Sequence, residues 1–175
     1  NGEIYNHQPV RNWGEAEEYQ FQSESDCESI LFLYHKYETG YYHSPVQILN
    51  KLDGMFSFVV YNQERHSFLV ARDPIGITSL YYGITFGKDD DGNLDKKSPQ
   101  MLMVASELKS LEDCDIVYPF PPGHYFHLVP EVLETKILEN ELFKPNSMEL
   151  NTSLWYQPKW RDEELSIIPK LDLSE

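Results

Sequence analysis

The chain has 175 residues, 41% of them hydrophobic, which fits one globular domain with a proper core and excludes wholesale disorder. Fourteen basic against 29 acidic residues give a formal net charge of −15, which repels phosphate backbones and argues against nucleic-acid binding; the acidity reads as a soluble surface. No apolar run approaches the ~20 residues of a membrane helix, and two distant cysteines, Cys27 and Cys114, give neither a metal spacing nor a disulfide framework, so they fit packing in a reducing compartment, the cytoplasm.

Residues 1–6 read as a short strand entering a turn. Residues 8–24, polar with Trp13, Tyr19 and Phe21, read as a short helix or loop and then an extended segment. Ser25-x-x-Glu28 is a capping box, and Cys27, Ile30, Leu31, Tyr34 and Tyr37 or Glu38 follow at helical spacing, so the spacing predicts an amphipathic helix over 26–39 stopped by Gly40. Ser44 and Pro45 open a second short helix at 44–51. Residues 54–61 alternate Phe56, Phe58 and Val60 with Met55, Ser57, Val59 and Tyr61; both sets are largely apolar, which predicts a strand buried on both faces. A polar hairpin at 62–66 leads to a partner strand at 68–72. Asp73-Pro74-Ile75-Gly76 breaks the pattern and residues 80–85 resume it.

Residues 86–100 read as an exposed loop. Its Asp89-Asp90-Asp91-Gly92 run invites a calcium reading, but the register fails: Gly87 and Ser98 stand where the first ligand and the bidentate glutamate belong. A strand at 101–105 follows, then a short helix through Leu111 capped by Ser106. Phe120-Pro121-Pro122-Gly123 is a rigid turn and 125–129 a final strand. Residues 130–154 fit neither period and look like an insertion, and the acidic residues 161–175 read as a linker. Antiparallel strands with helices on a face make an α+β class.

The chemistry concentrates in Asn1-Gly2-Glu3-Ile4-Tyr5-Asn6-His7. The Asn1 side-chain amide is a neutral donor, Gly2 lets a ligand approach its backbone, and Glu3 adds a carboxylate. A side-chain N–H beside a backbone N–H can hold a developing oxyanion during acyl transfer; Asn-Gly alone is also a common turn. Asp26, in the first turn of the predicted helix, is stabilised by the helix dipole whether or not it meets a ligand. Arg72-Asp73 reads as a structural ion pair or turn element. The acidic Glu112-Asp113 stretch should raise the Cys114 pKa and weaken it as a nucleophile. His124 and His127, three apart on a strand, point to opposite faces, and His7 can satisfy buried backbone groups; no metal site is indicated.

Residues 1–7 resemble a signature of the glutamine-hydrolysing domain of asparagine synthetases, a class II glutamine amidotransferase. Five further stretches agree in order: 25–28 (Ser-Asp-Cys-Glu), 52–58 (Leu-Asp-Gly-Met-Phe-Ser-Phe), Ala71-Arg72-Asp73-Pro74 through Leu80-Tyr81-Tyr82-Gly83, 105–109 (Ala-Ser-Glu-Leu-Lys), and 120–125 (Phe-Pro-Pro-Gly-His-Tyr). The resemblance implies an N-terminal nucleophile hydrolase fold, an α-β-β-α sandwich of two antiparallel sheets of which this chain supplies part. It implies a glutaminase domain over 1–160 with an insertion near 130–154, and a linker at 161–175 toward a synthetase domain in the same polypeptide. That domain would use ATP and magnesium; the glutaminase domain would need no cofactor. By the same resemblance, Asn1 and Gly2 align with the oxyanion-hole pair, Glu3 with a glutamine-contacting position and Asp26 with the acid holding the glutamine α-ammonium. The nucleophilic cysteine and the carboxylate-binding arginine align upstream of Asn1, so this stretch alone is expected to be inactive. Cys27 aligns with a non-catalytic position. Partners implied are glutamine and the synthetase domain, with a homodimer left open. Another class II amidotransferase, of purine or amino-sugar synthesis, and a non-catalytic glutaminase-like module are the alternatives.

Overall fold

A computed structural model describes residues 1–13, 18–89, 91–129, 142–144, 147 and 149–157, with only the backbone at 96 and 97. Eight strands and three short helices are named from these residues. The strands are β1 (Gly2–Ile4), β2 (Gly54–Asn62), β3 (Ser67–Arg72), β4 (Tyr81–Lys88), β5 (Leu94–Ala105), β6 (Ile116–Pro119), β7 (His124–Leu128) and β8 (Ser153–Leu154). The helices are α1 (His7–Arg11), α2 (Glu28–Glu38) and α3 (Pro45–Leu49).

All pairings are antiparallel, in a five-stranded sheet ordered β1-β2-β3-β7-β8 and a three-stranded sheet ordered β5-β4-β6. Alternation along each strand divides the apolar residues between two cores. On one face of the larger sheet, Phe56, Val60, Leu69 and Ala71 pack with Ile30, Leu33 and Tyr34 of α2 and Ile48 and Leu49 of α3. On the other, Val70 and Phe126 meet Tyr82, Ile84 and Phe86 of β4. The layers are therefore helices, large sheet, small sheet: an α+β arrangement of stacked antiparallel sheets, as expected.

Between the sheets runs the turn after β3, and both residues singled out there act as turn elements rather than as a mutual ion pair. The Arg72 guanidinium donates to the carbonyls of Thr78 (2.8 Å), Phe120 (2.6 Å) and Gly76 (2.9 Å). The buried Asp73 carboxylate collects the N–H groups of Ile75, Gly76, Ile77 and Thr78.

Several expectations are corrected. The 86–100 segment is no simple loop: β4 continues to Lys88 and β5 begins at Leu94, paired across a bulge near Phe86. Backbone pairing tolerates the polar, glycine-containing sequence because a bulge absorbs the mismatch. Ser106 does not cap a helix; one 3₁₀ turn forms at Leu108–Leu111 with Glu107 ahead of it and no side-chain cap. Strands β6 and β8 were not anticipated, and β8 lies inside the stretch expected to be an insertion.

The second face of strand β2 is buried only in part: Ser57 is covered, but Val59 and Tyr61 are 49% and 59% exposed. Helix α2 starts at Glu28, and its buried set is Ile30, Phe32, Leu33 and Tyr34, with Leu31 and Cys27 exposed. Phe32 is covered because the rings of Tyr19 and Phe21 close over it, centroids 5.3 and 5.6 Å away. The 130–154 insertion lies largely, and the 161–175 linker wholly, outside the described residues.

Candidate active site

The motif at the front of the chain is an edge strand. Asn1 exchanges backbone bonds with Ser57 at 2.9 and 2.8 Å, and the Tyr5 N–H reaches the Asp53 carbonyl at 2.8 Å. Hydrogen-bonded pairs in an antiparallel ladder alternate with pairs whose N–H groups point away from the partner. Gly2 and Ile4, opposite Phe56 and Gly54, belong to the second kind, so their N–H groups aim off the sheet edge. Asp26 takes the Ile4 N–H on its Oδ2 at 2.7 Å. No hydrogen bond to the Gly2 N–H forms within the described residues.

Gly2 is required here for a reason beyond ligand approach. Its φ is +124°, and an added Cβ would sit on the Met55 carbonyl oxygen and 2.7 Å from the Phe56 Cα. A side chain at this position would push β1 off β2. By the strand's alternation the Asn1 and Glu3 side chains share the face that carries Ser57, while Ile4 points into the helix-side core.

A trough of about 700 Å³ opens beside this edge. Five of the six motif stretches border it: 1–7, 25–28, 52–58, the stretch ending at 83 through Leu80, and 105–109 through Ala105 and Ser106. Its lining is apolar at Phe58, Val59, Leu31 and Val104, and polar at Asn1 and Glu3 and along the 22–28 segment. A second hollow of about 510 Å³ joins Gly2 and Glu3 to Asp26, Ser25 and His7. All four predicted site residues are thus brought together along one edge, Asn1, Gly2 and Glu3 on the trough and Asp26 one step along.

The Asp26 carboxyl is held below its usual range, chiefly by the Ile4 N–H, which outweighs the opposing effect of partial burial; the Cys27 N–H adds a smaller lowering. Asp26 lies ahead of α2, whose N-cap is Cys27, and not in its first turn as expected; its carboxylate is turned to β1. Around it the capping box forms differently from its sequence pattern. Ser25 makes no side-chain cap. Glu28 instead reaches back to accept the N–H of Gln22 (2.6 Å), the N–H of Ser23 (2.8 Å) and the Ser23 hydroxyl (2.6 Å).

Arg11 of α1 stands 3.6 Å from Glu28 and donates to the carbonyls of Ser23 (2.8 Å) and Ser25 (2.7 Å). Sequence reasoning missed this cluster, because its partners lie on separate elements with no spacing rule to connect them. Of the cysteines, Cys27 is exposed on the trough rim. Cys114 is half-buried, and its thiol is pushed up by burial and by Asp113 and Asp115. The acidic cause is as expected, with Asp115 replacing Glu112.

An exposed β-edge donor, a carboxylate one step along it and an adjoining trough thus stand together at the front of the chain. The profile of the family described as a glutamine amidotransferase domain matches residues 1–113, and the chain belongs to that family. Among curated proteins it is similar to a probable glutamine-hydrolyzing asparagine synthetase of Schizosaccharomyces pombe, 41% identical over 164 residues, covering 93% of this chain and 23% of that protein. It is also 34% identical over 170 residues to glutamine-hydrolyzing asparagine synthetase 1 of Arabidopsis thaliana, covering 97% of this chain and 22% of the relative. The Saccharomyces cerevisiae asparagine synthetase 1 matches at 40% over 127 residues, 72% of this chain and 19% of its own length. The chain thus spans about a fifth to a quarter of the curated relatives it matches.

Proposed function

We propose that this chain is the glutamine-binding part of the glutaminase unit of an asparagine synthetase. The unit hydrolyses glutamine to glutamate and ammonia through a cysteinyl thioester, with the cysteine supplied by the polypeptide ahead of Asn1. The Asn1 amide and the Gly2 N–H donate to the amide oxygen as it becomes an oxyanion. Such a pair acts where charge develops, and one lost donor typically costs ~3 kcal/mol of barrier. Asp26 receives the α-ammonium on the carboxylate that also holds the Ile4 N–H, and Glu3 contacts glutamine beside it. The ammonia passes to a synthetase domain of the same polypeptide, where ATP and magnesium serve aspartate activation. The glutaminase unit needs no cofactor, and residues 161–175 act as the linker. Neither Cys27 nor Cys114 serves as the nucleophile.

The observation that carries this reading is the spacing on the β1 edge. The N–H groups of Gly2 and Ile4 repeat every second residue, about 7 Å apart, and Asp26 is fixed on the second. Extended glutamine separates its amide oxygen from its α-nitrogen by five bonds of about 1.5 Å, roughly 6 Å end to end. One end therefore meets Gly2 while the other meets Asp26.

The test is Asn1→Ala in the complete protein. Glutamine-dependent asparagine formation should fall about a hundredfold, while ammonia-dependent synthesis stays intact. Equal activity on both nitrogen sources would overturn the oxyanion assignment.

A further inference from the structure

The segment 22–26 carries no regular structure, yet it delivers Asp26 to β1. Something other than a backbone ladder must hold it. Glu28, 6% exposed, receives three hydrogen bonds from Gln22 and Ser23, so both its carboxylate oxygens are occupied. The Arg11 guanidinium, stacked 4.3 Å over the Phe21 ring, sends one nitrogen to the carbonyls of both Ser23 and Ser25. An ion pair between α1 and α2 thus grips the backbone from Gln22 to Ser25, and Asp26 is the next residue.

We infer that Arg11 and Glu28 are positioning residues for glutamine binding: they clamp the 22–25 backbone so that the Asp26 carboxylate stands at a fixed distance from Gly2 and Glu3. This rests on the reading of Asp26 as the α-ammonium acceptor. Neither residue touches glutamine. Their contribution is to restrict a loop that could otherwise place Asp26 in many positions, which lowers the ordering cost of binding. The chemistry is specific. Gln22 and Ser23 present two N–H donors and one O–H donor to two carboxylate oxygens. An amide in place of the carboxylate turns one of those acceptors into a donor facing donors. Lysine in place of Arg11 keeps the charge and loses the planar guanidinium whose stacking on Phe21 aims one nitrogen at both carbonyls.

The experiment measures steady-state glutaminase kinetics and ammonia-dependent synthesis in the complete protein with Glu28→Gln, Arg11→Met and Arg11→Lys, and with Asp26→Asn as the benchmark. Glu28→Gln and Arg11→Met should raise KM for glutamine about tenfold while kcat stays within about twofold, the pattern of lost uniform binding. Arg11→Lys should lie between them and the parent, and amide exchange over 22–26 should quicken. Ammonia-dependent synthesis should not change.

A parental KM in Glu28→Gln and Arg11→Met alongside a raised KM in Asp26→Asn overturns the inference and leaves the Asp26 reading standing. A parental KM in Asp26→Asn overturns that reading itself. Loss of kcat and of ammonia-dependent synthesis together also overturns the inference, since it marks damage to the fold. Should Glu28→Gln not fold, Arg11→Lys decides: an unchanged KM there overturns the inference.

Discussion

Asp73→Ala tests whether the turn after β3 is held by one carboxylate. Asp73 is 1% exposed. Its Oδ1 accepts the N–H groups of Ile75 (3.0 Å), Gly76 (2.6 Å) and Ile77 (3.1 Å), and its Oδ2 accepts the Thr78 N–H and hydroxyl, each at 3.3 Å. Removing the carboxylate strips the acceptor from Ile75, Ile77 and Thr78, while Gly76 keeps the Asp73 carbonyl at 3.2 Å. Ile75 and Ile77 are exposed, so water replaces part of each lost bond. The cost therefore sits near the low end, ~1–1.5 kcal/mol per amide, and 1.4 kcal/mol is tenfold in an opening equilibrium.

Amide hydrogen exchange of the complete protein, read residue by residue, should then show Ile75, Ile77 and Thr78 exchanging about tenfold faster and Gly76 less affected. Asp73→Asn sharpens the test. Its carbonyl can keep the Oδ1 bonds, and its NH₂ can donate to the Thr78 hydroxyl but opposes the Thr78 N–H, so only Thr78 should lose protection. The consequence reaches the site, because the Asp73 N–H bonds the Phe56 carbonyl at 2.7 Å and Phe56 lies opposite Gly2. Unchanged exchange in Asp73→Ala, or identical patterns in the two variants, would refute the assignment.

Asp26 has a folded pKa below its ordinary value of 3.8, so its contribution to stability is present at neutral pH and above, and is lost only as pH falls through that lowered value. Carbon-detected titration should place its midpoint below 3.8, and a midpoint at or above that would contradict the bond to Ile4. Tyr34 and Tyr82 are each pushed up to about 12 by burial. The unfolded chain ionises first, so stability should decline from about pH 10 to pH 12; ultraviolet titration in which every tyrosine ionises near pH 10 would refute the packing around both rings. Cys27, exposed, should react with a thiol reagent well before Cys114, whose thiol is half-buried and raised; equal rates would count against the contact of Cys114 with Met103 and Gly83.

What the sequence revealed and what it hid follow from the range of the interactions. Strand β2 was legible because its alternating aromatic and aliphatic residues record one buried face. Its second face was misjudged, since Ser57 is buried there while Val59 and Tyr61 are exposed, a division set by what packs above the strand, which no local pattern encodes. Helix α2 was legible from Ile30, Tyr34 and the Gly40 stop, whereas Phe32 is buried by rings from residues 19 and 21. Strand β6 escaped notice because Ile116-Val117-Tyr118 is short and sits between acidic residues and Pro119. That Asn1, Gly2, Glu3 and Asp26 lie together was legible from contiguous motifs. Glu28 was legible only as a capping residue, and its bonds to Gln22 and Ser23 and its pairing with Arg11 were not, since they join separate elements.

The placement of the motif on an edge strand is what the proposed oxyanion role requires. In a central strand every backbone N–H is taken by one neighbour or the other, and none is left to stabilise a charge that appears only during a reaction. An edge strand leaves alternate N–H groups free, but it is normally a hazard that invites another strand. Here the hazard is limited on two sides. β1 is three residues long, and one of its two outward donors, that of Ile4, is occupied by Asp26. That leaves the Gly2 N–H as a single directed donor, held in place by the close approach to Met55 and Phe56 that only glycine allows. The same carboxylate that blunts the edge borders the hollow lined by Gly2 and Glu3, so one residue both protects the strand and sets a negative charge beside its remaining donor.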